Sequence, residues 1–378
     1  MNEVILKEVI NKKDLKTFVS FANNLYANNE FFVHDLISDE LNMFNPKKNP
    51  AYEYCETKLF LAYLDNKVVG RIAGIYNKAH IIKTNKKQLR FSRFDTIDNI
   101  EVTKTLFKGL EKWAVELGLD SMIGPIGFCD FDKQGMLIEG FEEMDMFVTI
   151  YNAPYYFEHL TQLGFVKDAD WLEFQVFPPS EPNERLQKLT KAISTKYGFK
   201  FQKHNKRSEL KKVIPDFFDI IQESYAHLYG VVPLTDKQMK MYIKMFYPLV
   251  NLDYFYDVRN KNNEMVGFGL LLPSLSNALR SCKGKLFPFG FIKILRALKK
   301  EKVLDCYLIG VRPEYQNRGV NAIVLNEAIN TGIRNGIIRA ETGPELEMNE
   351  AMKAQWKLFN VRQHKRRRCF VYNFNTKE

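Results

Sequence analysis

The eight residues RPEYQNRG, at positions 312–319, have the composition of an anion-binding turn. They lie between an apolar, β-prone run at 304–311 and a run at 321–334 whose apolar residues recur at helical spacing. The free N–H groups at the start of such a helix, together with the helix dipole, favour a phosphate group. Arg312 and Arg318 add positive charge. The stretch therefore predicts a strand–turn–helix unit that binds an anion.

Two residues set the expected geometry of this turn. Pro313 ends the strand, and Gly319 lets the backbone approach a ligand with no side chain in between. The turn is neither a Walker A loop nor a GxGxxG loop. A nucleoside triphosphate or a dinucleotide is therefore not indicated.

The stretch VRPEYQNRGVN, at 311–321, resembles motif A of the GNAT acyltransferases, Q/R-x-x-G-x-G/A. Gln316 and Gly319 match the first two fixed positions, while Asn321 stands where Gly or Ala is usual. The resemblance implies that acetyl-CoA or another acyl-CoA is the cofactor, with its pyrophosphate on the loop amides and its pantetheine arm on the preceding strand. The cofactor-binding residues implied in this way are Leu308, Ile309, Val311, Gln316, Asn317, Arg318, Gly319, Val320, Asn321 and Asn349.

A later helix in that family often carries a Tyr that acts as general acid for the leaving thiolate. In this sequence the position falls at Trp356. An indole does not donate a proton in that way, so the resemblance leaves the general acid unassigned.

The similarity extends over most of the chain, to the bacterial tandem-GNAT proteins called YghO-like. It implies an α/β (α+β) fold with two tandem GNAT-like domains, each a mixed, mostly antiparallel sheet flanked by helices. The expected domains are 1–178 and 179–378, and the second carries the acyl-CoA loop. The matching stretches are FDTIDN, WAVELGLDSMIGPIGF, GMLIEGF, YNAPYYFEHLTQLGF, YGVVPLT and YLIGVRPEYQNRGVN.

An internal repeat supports two domains. The segment FPPSEPNE, at 177–184, has three prolines and reads as the junction. Residues 59–76 and 253–272 both predict a hairpin, and each is followed by a helix, a strand and a closing helix. Two unrelated α/β domains remain the alternative.

Charge divides the two halves. Residues 1–180 hold 20 Lys and Arg against 26 Asp and Glu, whereas residues 181–378 hold 35 against 19. The net charge of +10 therefore arises in the second half, which favours an anionic ligand there. In the first half, the segment at 93–107 carries Asp95, Asp98 and Glu101 in place of Gln-x-x-Gly. Those carboxylates cap a helix and repel a diphosphate, so we expect no CoA in the first half.

Other features restrict the class of protein. The five cysteines and six histidines are dispersed, which argues against a disulfide framework and against a metal site. No apolar run reaches the roughly 18 residues of a membrane span, and the start does not resemble a signal peptide. We expect a bacterial, cytoplasmic protein, as a monomer or a homodimer.

Transfer of an acetyl group to a primary amine requires a base and a positioned acceptor. The candidate catalytic residues are Asp305, Tyr307 and Glu341, with Glu314 as a further carboxylate. Cys306 is interpreted as core rather than as an acyl carrier. The acceptor, a small molecule or peptide, is expected on the loop at 224–236, and the residues chosen there are Tyr225, Tyr229 and Thr235. The segment at 126–141 is either a lid or wall of the site or a surface loop.

Two basic stretches remain. Residues 277–302 hold eight Lys and Arg against one Glu, and the preferred interpretation is a packed helix with a solvated basic face. An anionic membrane, nucleic acid or the 3′-phosphate of CoA are the alternatives. HKRRRC, at 364–369, is expected on a solvated strand edge. No nucleic-acid-binding motif accompanies either stretch.

The sequence therefore predicts an acyl-CoA-dependent N-acetyltransferase that works by direct transfer in a ternary complex. Two alternatives stay open: an aminoacyl-tRNA-dependent peptidyltransferase-like enzyme and a non-catalytic CoA-binding module.

Overall fold

The computed structural model describes residues 3–349, 355–356 and 359–374. These ranges form one mixed sheet of 14 strands flanked by helices, which confirms the predicted α/β class. The strands are β1 Ile5–Glu8, β2 Cys55–Leu64, β3 Lys67–Asn77, β4 Gln88–Thr96, β5 Ser121–Gly124, β6 Met136–Glu139, β7 Val166–Phe177, β8 Lys200–Gln202, β9 Phe255–Arg259, β10 Met265–Pro273, β11 Val303–Val311, β12 Arg339–Thr342, β13 Glu345–Leu346 and β14 Asn360–Asn373.

The helices lie between these strands, and none within the described ranges is long and apolar enough to cross a membrane. They are α1 Lys12–Leu25, α2 Ile37–Met43, α3 Lys78–Thr84, α4 Ile100–Glu116, α5 Tyr155–Gln162, α6 Glu184–Tyr197, α7 Arg207–Tyr225, α8 Asp236–Phe246, α9 Ser276–Cys282, α10 Gly290–Lys300 and α11 Val320–Asn335.

The two predicted hairpins are present, as β2–β3 and β9–β10. At the tip of the first, Asp65 and Asn66 have φ of 50° and 60°. Two consecutive residues with positive φ form the turn that matches the twist of paired strands, and Asp and Asn tolerate it well. The local sequence therefore determines this connection.

Each half repeats one β–α–β unit. In the first half β4 runs parallel to β5 after α4, and in the second β11 runs parallel to β12 after α11. The pairing stops early in both units, after Arg90↔Ile123 in one and after Cys306↔Thr342 in the other. Each first strand also shows a register shift against its hairpin neighbour. The two parallel strands therefore separate, and the open side of β11 lies next to the predicted anion-binding loop.

The last strands of the halves join the sheet in the middle. β14 pairs with β7 along most of its length and also with β5 and β6 of the first half. β7 in turn pairs with β12 and β13 of the second half. One sheet thus joins the two halves through β7 and β14. The domain boundary predicted between residues 178 and 179 stays a prediction.

The basic run HKRRRC was expected on a solvated edge, and that prediction was wrong. It lies within the central strand β14, where Lys365 and Arg367 are 1% and 0% exposed. Both contact the buried carboxylate of Glu173 on β7, and Lys365 Nζ lies 3.2 Å from its Oε2. Arg367 also donates to Asp145, at 2.9 Å. Carboxylates far away in the sequence therefore compensate the charges of this strand.

Glu173→Gln is expected to destabilise the fold strongly, because it leaves Arg367 and Lys365 buried with less compensating charge. Loss of one partner from a buried ion pair costs about 3–5 kcal/mol, which denaturant unfolding at pH 7 would measure. Burial by itself would raise the pKa of Glu173, but the charges of Arg367 and Lys365 outweigh it and lower that pKa to about 2. The stabilisation is therefore present at neutral pH and is lost as the pH falls toward 2. An unfolding free energy equal to that of the unmodified protein would contradict this account.

Candidate functional site

The loop after β11 presents a row of unbonded backbone amides. Residues 313–315 form one 3₁₀ turn, and Asn317 and Gly319 then take positive φ of 59° and 84°. This backbone leaves the amides of residues 317–321 without an acceptor among the described residues. They lie at the start of α11, a helix of 16 residues, where the dipole is positive. The predicted anion-binding geometry is therefore present.

The structure gives a further reason for a glycine at position 319, besides the approach of a ligand that the sequence suggested. A Cβ atom built on it would lie 2.4 Å from Cδ1 of Ile193, on α6. The missing side chain therefore makes room for α6 as well as permitting the positive φ. A substitution at Gly319 would disturb packing together with any ligand.

Two arginines flank the loop, and they differ in their contacts. Arg312 donates to Glu223 at 2.7 Å and to the carbonyl of Met265 at 3.0 Å. The exposed guanidinium of Arg318 lies 5.5 Å from the ring centroid of Tyr315 and has no ion-pair partner among the described residues. Arg318 is therefore the cation available to an anionic ligand.

Asn321 and Gln316 complete the loop. The amide oxygen of Asn321 is buried and has no hydrogen-bond partner within the described structure. The side chain of Gln316 donates to the carbonyl of Val311 at 3.3 Å and so ties the loop to the end of β11. An unbonded polar atom at Asn321, next to the free amides, indicates a site that favours a polar ligand.

The open edge of β11 begins where its pairing with β12 ends. The amide of Gly343 still donates to the carbonyl of Cys306, at 3.2 Å. Beyond that bond, the segment from Leu308 to Val311 has no partner strand on the β12 side among the described residues. The hydroxyl of Tyr225 donates to the carbonyl of Ile309 at 2.8 Å. The structure thus brings together the predicted cofactor strand and one predicted acceptor residue.

Asn349, the predicted contact on the closing helix, lies just after β13, and its amide donates to the carbonyl of Leu346 at 2.8 Å. Residues 350–354 and 357–358 of the expected helix lie outside the described residues. The role of Asn349 stays a prediction.

Asp305 and Glu341, two of the predicted catalytic residues, lie opposite each other on the parallel strands β11 and β12. Glu341 accepts from Gln175 at 3.0 Å and from Arg339 at 2.8 Å. Asp305 is 0% exposed, and burial raises its pKa to about 7, against a lowering contribution from Ser274. Both carboxyl groups lie in the paired part of the strands, before these separate.

Asp305→Asn is expected to change how stability depends on pH. The folded protein keeps Asp305 protonated up to pH about 7, while the unfolded chain ionises it near its ordinary value, so stability falls as the pH rises between these values. Asn cannot ionise, so across this pH window the free energy of unfolding of the variant should rise relative to that of the unmodified protein by about 2–4 kcal/mol. Urea unfolding at pH 5 and pH 8 measures the difference. Parallel stability curves would contradict the prediction.

Tyr307, the third predicted catalytic residue, lies at the register shift of β11. Its ring stacks on Phe147 from the first half, with centroids 6.0 Å apart and planes 9° apart. Burial raises the pKa of Tyr307 well above its usual range. The side chain is therefore a packed wall between the halves, and its hydroxyl does not ionise near neutral pH.

Glu345, which sequence reasoning did not select, lies where β11 and β12 separate. Trp356 Nε1 donates to both of its carboxylate oxygens, at 3.1 and 2.9 Å. Burial nevertheless raises the pKa of Glu345 to about 7. Glu345 lies on β13, in register with Leu172 of β7. Burial, and then the charge of Glu345, raise the pKa of Cys306 on β11. The sequence offered one signal: Glu345 lies only three residues after the end of β12.

The chain is similar in sequence or in fold to several known proteins. No family model matches the chain. Over 378 aligned residues it is 27% identical to Protein YghO of Escherichia coli (strain K12), with 97% of this chain and 94% of that protein covered. It is 23% identical over 348 residues to the Bacterial ceramide synthase of Caulobacter vibrioides (strain NA1000 / CB15N), with 90% and 89% covered. A solved tandem GNAT protein from the clavulanic acid biosynthesis pathway superposes over 100% of both chains, with a TM-score of 0.55 and 9% identity.

The chain has the tandem GNAT fold. The predicted resemblance to GNAT and YghO-like proteins is thereby confirmed, and so is the predicted pair of GNAT-like units. The loop at 312–319 and the separated strands β11 and β12 occupy the second of these units.

The predicted acceptor loop is held by both halves of the chain. Tyr229 donates to Asp168 and packs edge-on against Trp171, with ring centroids 5.5 Å apart. Thr235 accepts from the amide of Gln238 at 3.3 Å and caps α8. Of the three predicted acceptor residues, Tyr225 alone contacts β11 among the contacts described. Tyr229 and Thr235 hold the loop in place.

First-half residues fix this loop from the other side. Lys83 donates to the carbonyl of Val231 at 2.8 Å, and Arg90 donates to that of Gly230 at 2.8 Å. Cys129, in the segment 126–141, lies 3.1 Å from the hydroxyl of Tyr242 on α8. The segment is thus a packed wall between the GNAT units. The sequence alone did not decide whether this segment is a lid, a wall or a surface loop.

The corresponding strand of the first GNAT unit is occupied by its own chain. The carbonyl of Phe91 accepts from Ile126 at 2.8 Å, and the amide of Thr96 donates to Tyr156 at 2.7 Å. Asp95 was expected to cap α4, and that detail was wrong, because it forms a buried ion pair with Arg71 at 2.7 Å.

Asn99 provides the cap of α4, and Asp98 lies 3.2 Å from His159. The absence of CoA from the first half remains a prediction. The main support for this prediction is now the occupied strand edge, rather than repulsion between carboxylates and a diphosphate.

Proposed function

We propose that this protein is an acyl-CoA-dependent N-acyltransferase that transfers an acyl group, in the first instance acetyl, to a primary amine in a ternary complex. One observation carries the proposal: five free amides at the start of α11 lie at the end of a strand whose edge is open. A thioester bound there would lie along β11 and would supply the activated acyl group. The tandem GNAT fold supports acyl transfer as the class of reaction.

The residues present fit an acyl-CoA. The amides of residues 317–321 and the side chain of Arg318 would hold the pyrophosphate, because both favour a compact anion. The backbone from Leu308 to Val311 would hold the pantetheine arm through the hydrogen bonds that β12 leaves unused. Tyr225 keeps the carbonyl of Ile309 in position.

Glu345 is the group we assign as general base. An amine attacks only when it is neutral, so a nearby carboxylate must accept its proton. A pKa of about 7 matches this role, since the group is ionised and still basic near neutral pH. Asp305 has a similar pKa but is fully buried in the paired part of the strands, where an acceptor cannot approach it. The N–H of Trp356 orients the carboxylate of Glu345.

The name of the Caulobacter relative favours a second acceptor and acyl chain. A ceramide is an amide of a fatty acid with a long-chain amine, so its synthesis is also an N-acylation. We therefore extend the proposal to long-chain acyl groups and long-chain amines beside acetyl groups and small amines or peptides.

An assay of free thiol release tests these possibilities together. The purified chain would be supplied with acetyl-CoA or palmitoyl-CoA and with a short primary amine, a peptide or a long-chain amine. Turnover with any pair supports the proposal, and the pair identifies the acceptor class. Tight CoA binding without turnover on any amine would favour the non-catalytic module instead. Failure to bind either thioester in calorimetry, with salt-sensitive binding of aminoacyl-tRNA, would favour the peptidyltransferase-like alternative.

A further inference from the structure

The segment at 285–300, which contains α10, exposes an unusual amount of apolar surface. Five large hydrophobic side chains within nine residues are 40–79% exposed, whereas the other exposed ones in the described structure are scattered singly or in pairs along the chain. A contiguous patch of this kind is uncommon on a surface that contacts only water. The five residues, called here the apolar ridge, are Phe287, Phe289, Phe291, Ile292 and Leu295.

The ridge adjoins the part of α10 that packs on the protein. Ile294, Ala297 and Leu298 lie in a cluster with Val33 of the first half and Leu275 of the second. Phe291 and Leu295 are four residues apart and lie on one stripe of the helix, beside Leu298, which is three residues after Leu295. Helix α10 thus has one wide apolar face, which is covered along one flank and exposed along the other, where Phe291, Ile292 and Leu295 are 40–54% exposed.

Basic side chains border the ridge. Lys293, Arg296, Lys299 and Lys300 are all exposed on α10, and Lys285 is exposed just before it. Across residues 277–302, Glu301 is the one acidic residue. Aromatic and aliphatic side chains next to lysines and arginines are the pattern of a helix that lies in the plane of a membrane surface.

We propose that the apolar ridge docks on a lipid bilayer that contains anionic phospholipids, with α10 parallel to the surface. The ridge would enter the acyl chains while the bordering cations contact the headgroup phosphates. At 11 residues, α10 is about half as long as a membrane-spanning helix, so it lies on the bilayer.

Charge and side-chain chemistry favour a bilayer over the other partners. Contact between two copies through this surface would bring two basic borders together, which is unfavourable. Nucleic acid would pair with the cations and stack on the phenylalanines, but it would leave Ile292 and Leu295 without an apolar partner. A bilayer with anionic lipids satisfies both the apolar ridge and its basic border.

The packed part of α10 is linked to β11 through one side chain. Phe147, which stacks on Tyr307 of β11, belongs to the same cluster as the inner face of α10. Docking would therefore bring the bilayer near the separated strands. Bilayer binding is measured without catalysis, so its outcome is independent of the acyl-transfer proposal.

Sedimentation of the full-length protein with vesicles tests the docking. The vesicles would be phosphatidylcholine alone or with about one-third phosphatidylglycerol. The test variant carries Phe289→Ser, Ile292→Ser and Leu295→Ser, three positions that are 52–70% exposed, so the fold should be retained. The control carries Ile10→Ser, Ile82→Ser and Val115→Ser, which are 60–84% exposed in the first half.

We expect binding to the anionic vesicles, weakened at least about ten-fold by the test variant and unchanged by the control. Reversal of charge by Arg296→Glu and Lys300→Glu should reduce the preference for phosphatidylglycerol. Equal binding of the test variant and the unmodified protein would overturn the proposal. Two other results would also overturn it. In the first, the protein binds RNA and no vesicles, and only the charge-reversed variant loses RNA binding. In the second, the protein self-associates and binds no vesicles, and the serine variant abolishes the self-association.

Discussion

Glu345→Gln is expected to lower kcat by about 10²–10⁴-fold while the affinity for acyl-CoA stays unchanged, because the variant keeps the shape of the side chain and loses the base. Steady-state rates and calorimetry on the same preparation measure the two quantities. Glu347→Gln is the matched control: it is the same chemical change two residues away, on a carboxylate that pairs with Lys167 and Arg366. Unchanged kcat in the Glu345 variant would remove Glu345 from the mechanism.

The pH profile provides a second test of the same residue. A base acts when it is deprotonated, so kcat/KM of the unmodified protein should rise with pH and level off above about 7, the pKa of Glu345. The N–H of Trp356 stabilises the carboxylate and so lowers that pKa. Trp356→Phe removes the donor, and the midpoint of the profile should therefore move to higher pH. A profile that Trp356→Phe leaves unchanged, together with loss of activity in Asp305→Asn, would assign the base to Asp305.

Arg318→Glu is expected to weaken acyl-CoA binding by about 100-fold. The substitution removes the available cation and places a carboxylate beside the five free amides, where it competes with the pyrophosphate. Arg318 is exposed, so the effect should fall on binding rather than on folding. Isothermal calorimetry with acetyl-CoA measures the dissociation constant, and the thermal midpoint of unfolding checks the fold.

Lys112→Glu is the control for the change of charge. Lys112 is exposed on α4 of the first half, so the substitution alters the net charge equally while leaving the loop intact. We expect its affinity for acetyl-CoA to equal that of the unmodified protein. Equal losses in both variants would mean that overall charge, and not the loop, governs binding. No loss in the Arg318 variant would place the pyrophosphate elsewhere.

The sequence by itself determined the elements that depend on near neighbours. The hairpins follow from apolar strand-like runs on either side of a polar turn, Asp-Asn in the first hairpin and an Asn-rich turn in the second. The loop at 312–319 follows from a strand, a proline, a glycine and a helix in succession. The charge difference between the halves was also a matter of counting. These features are local, so the order of residue types is sufficient to predict them.

The tertiary structure decided what depends on distant partners. Nothing near HKRRRC indicates that Glu173 would lie beside Arg367 and Lys365, since the partners are 194 and 192 residues apart. The pKa of Glu345 depends on burial that its neighbours in the sequence do not reveal. Burial and ion pairing arise only when the sheet brings remote strands together. For that reason the composition of β14 suggested a solvated edge, although the strand lies at the centre of the fold.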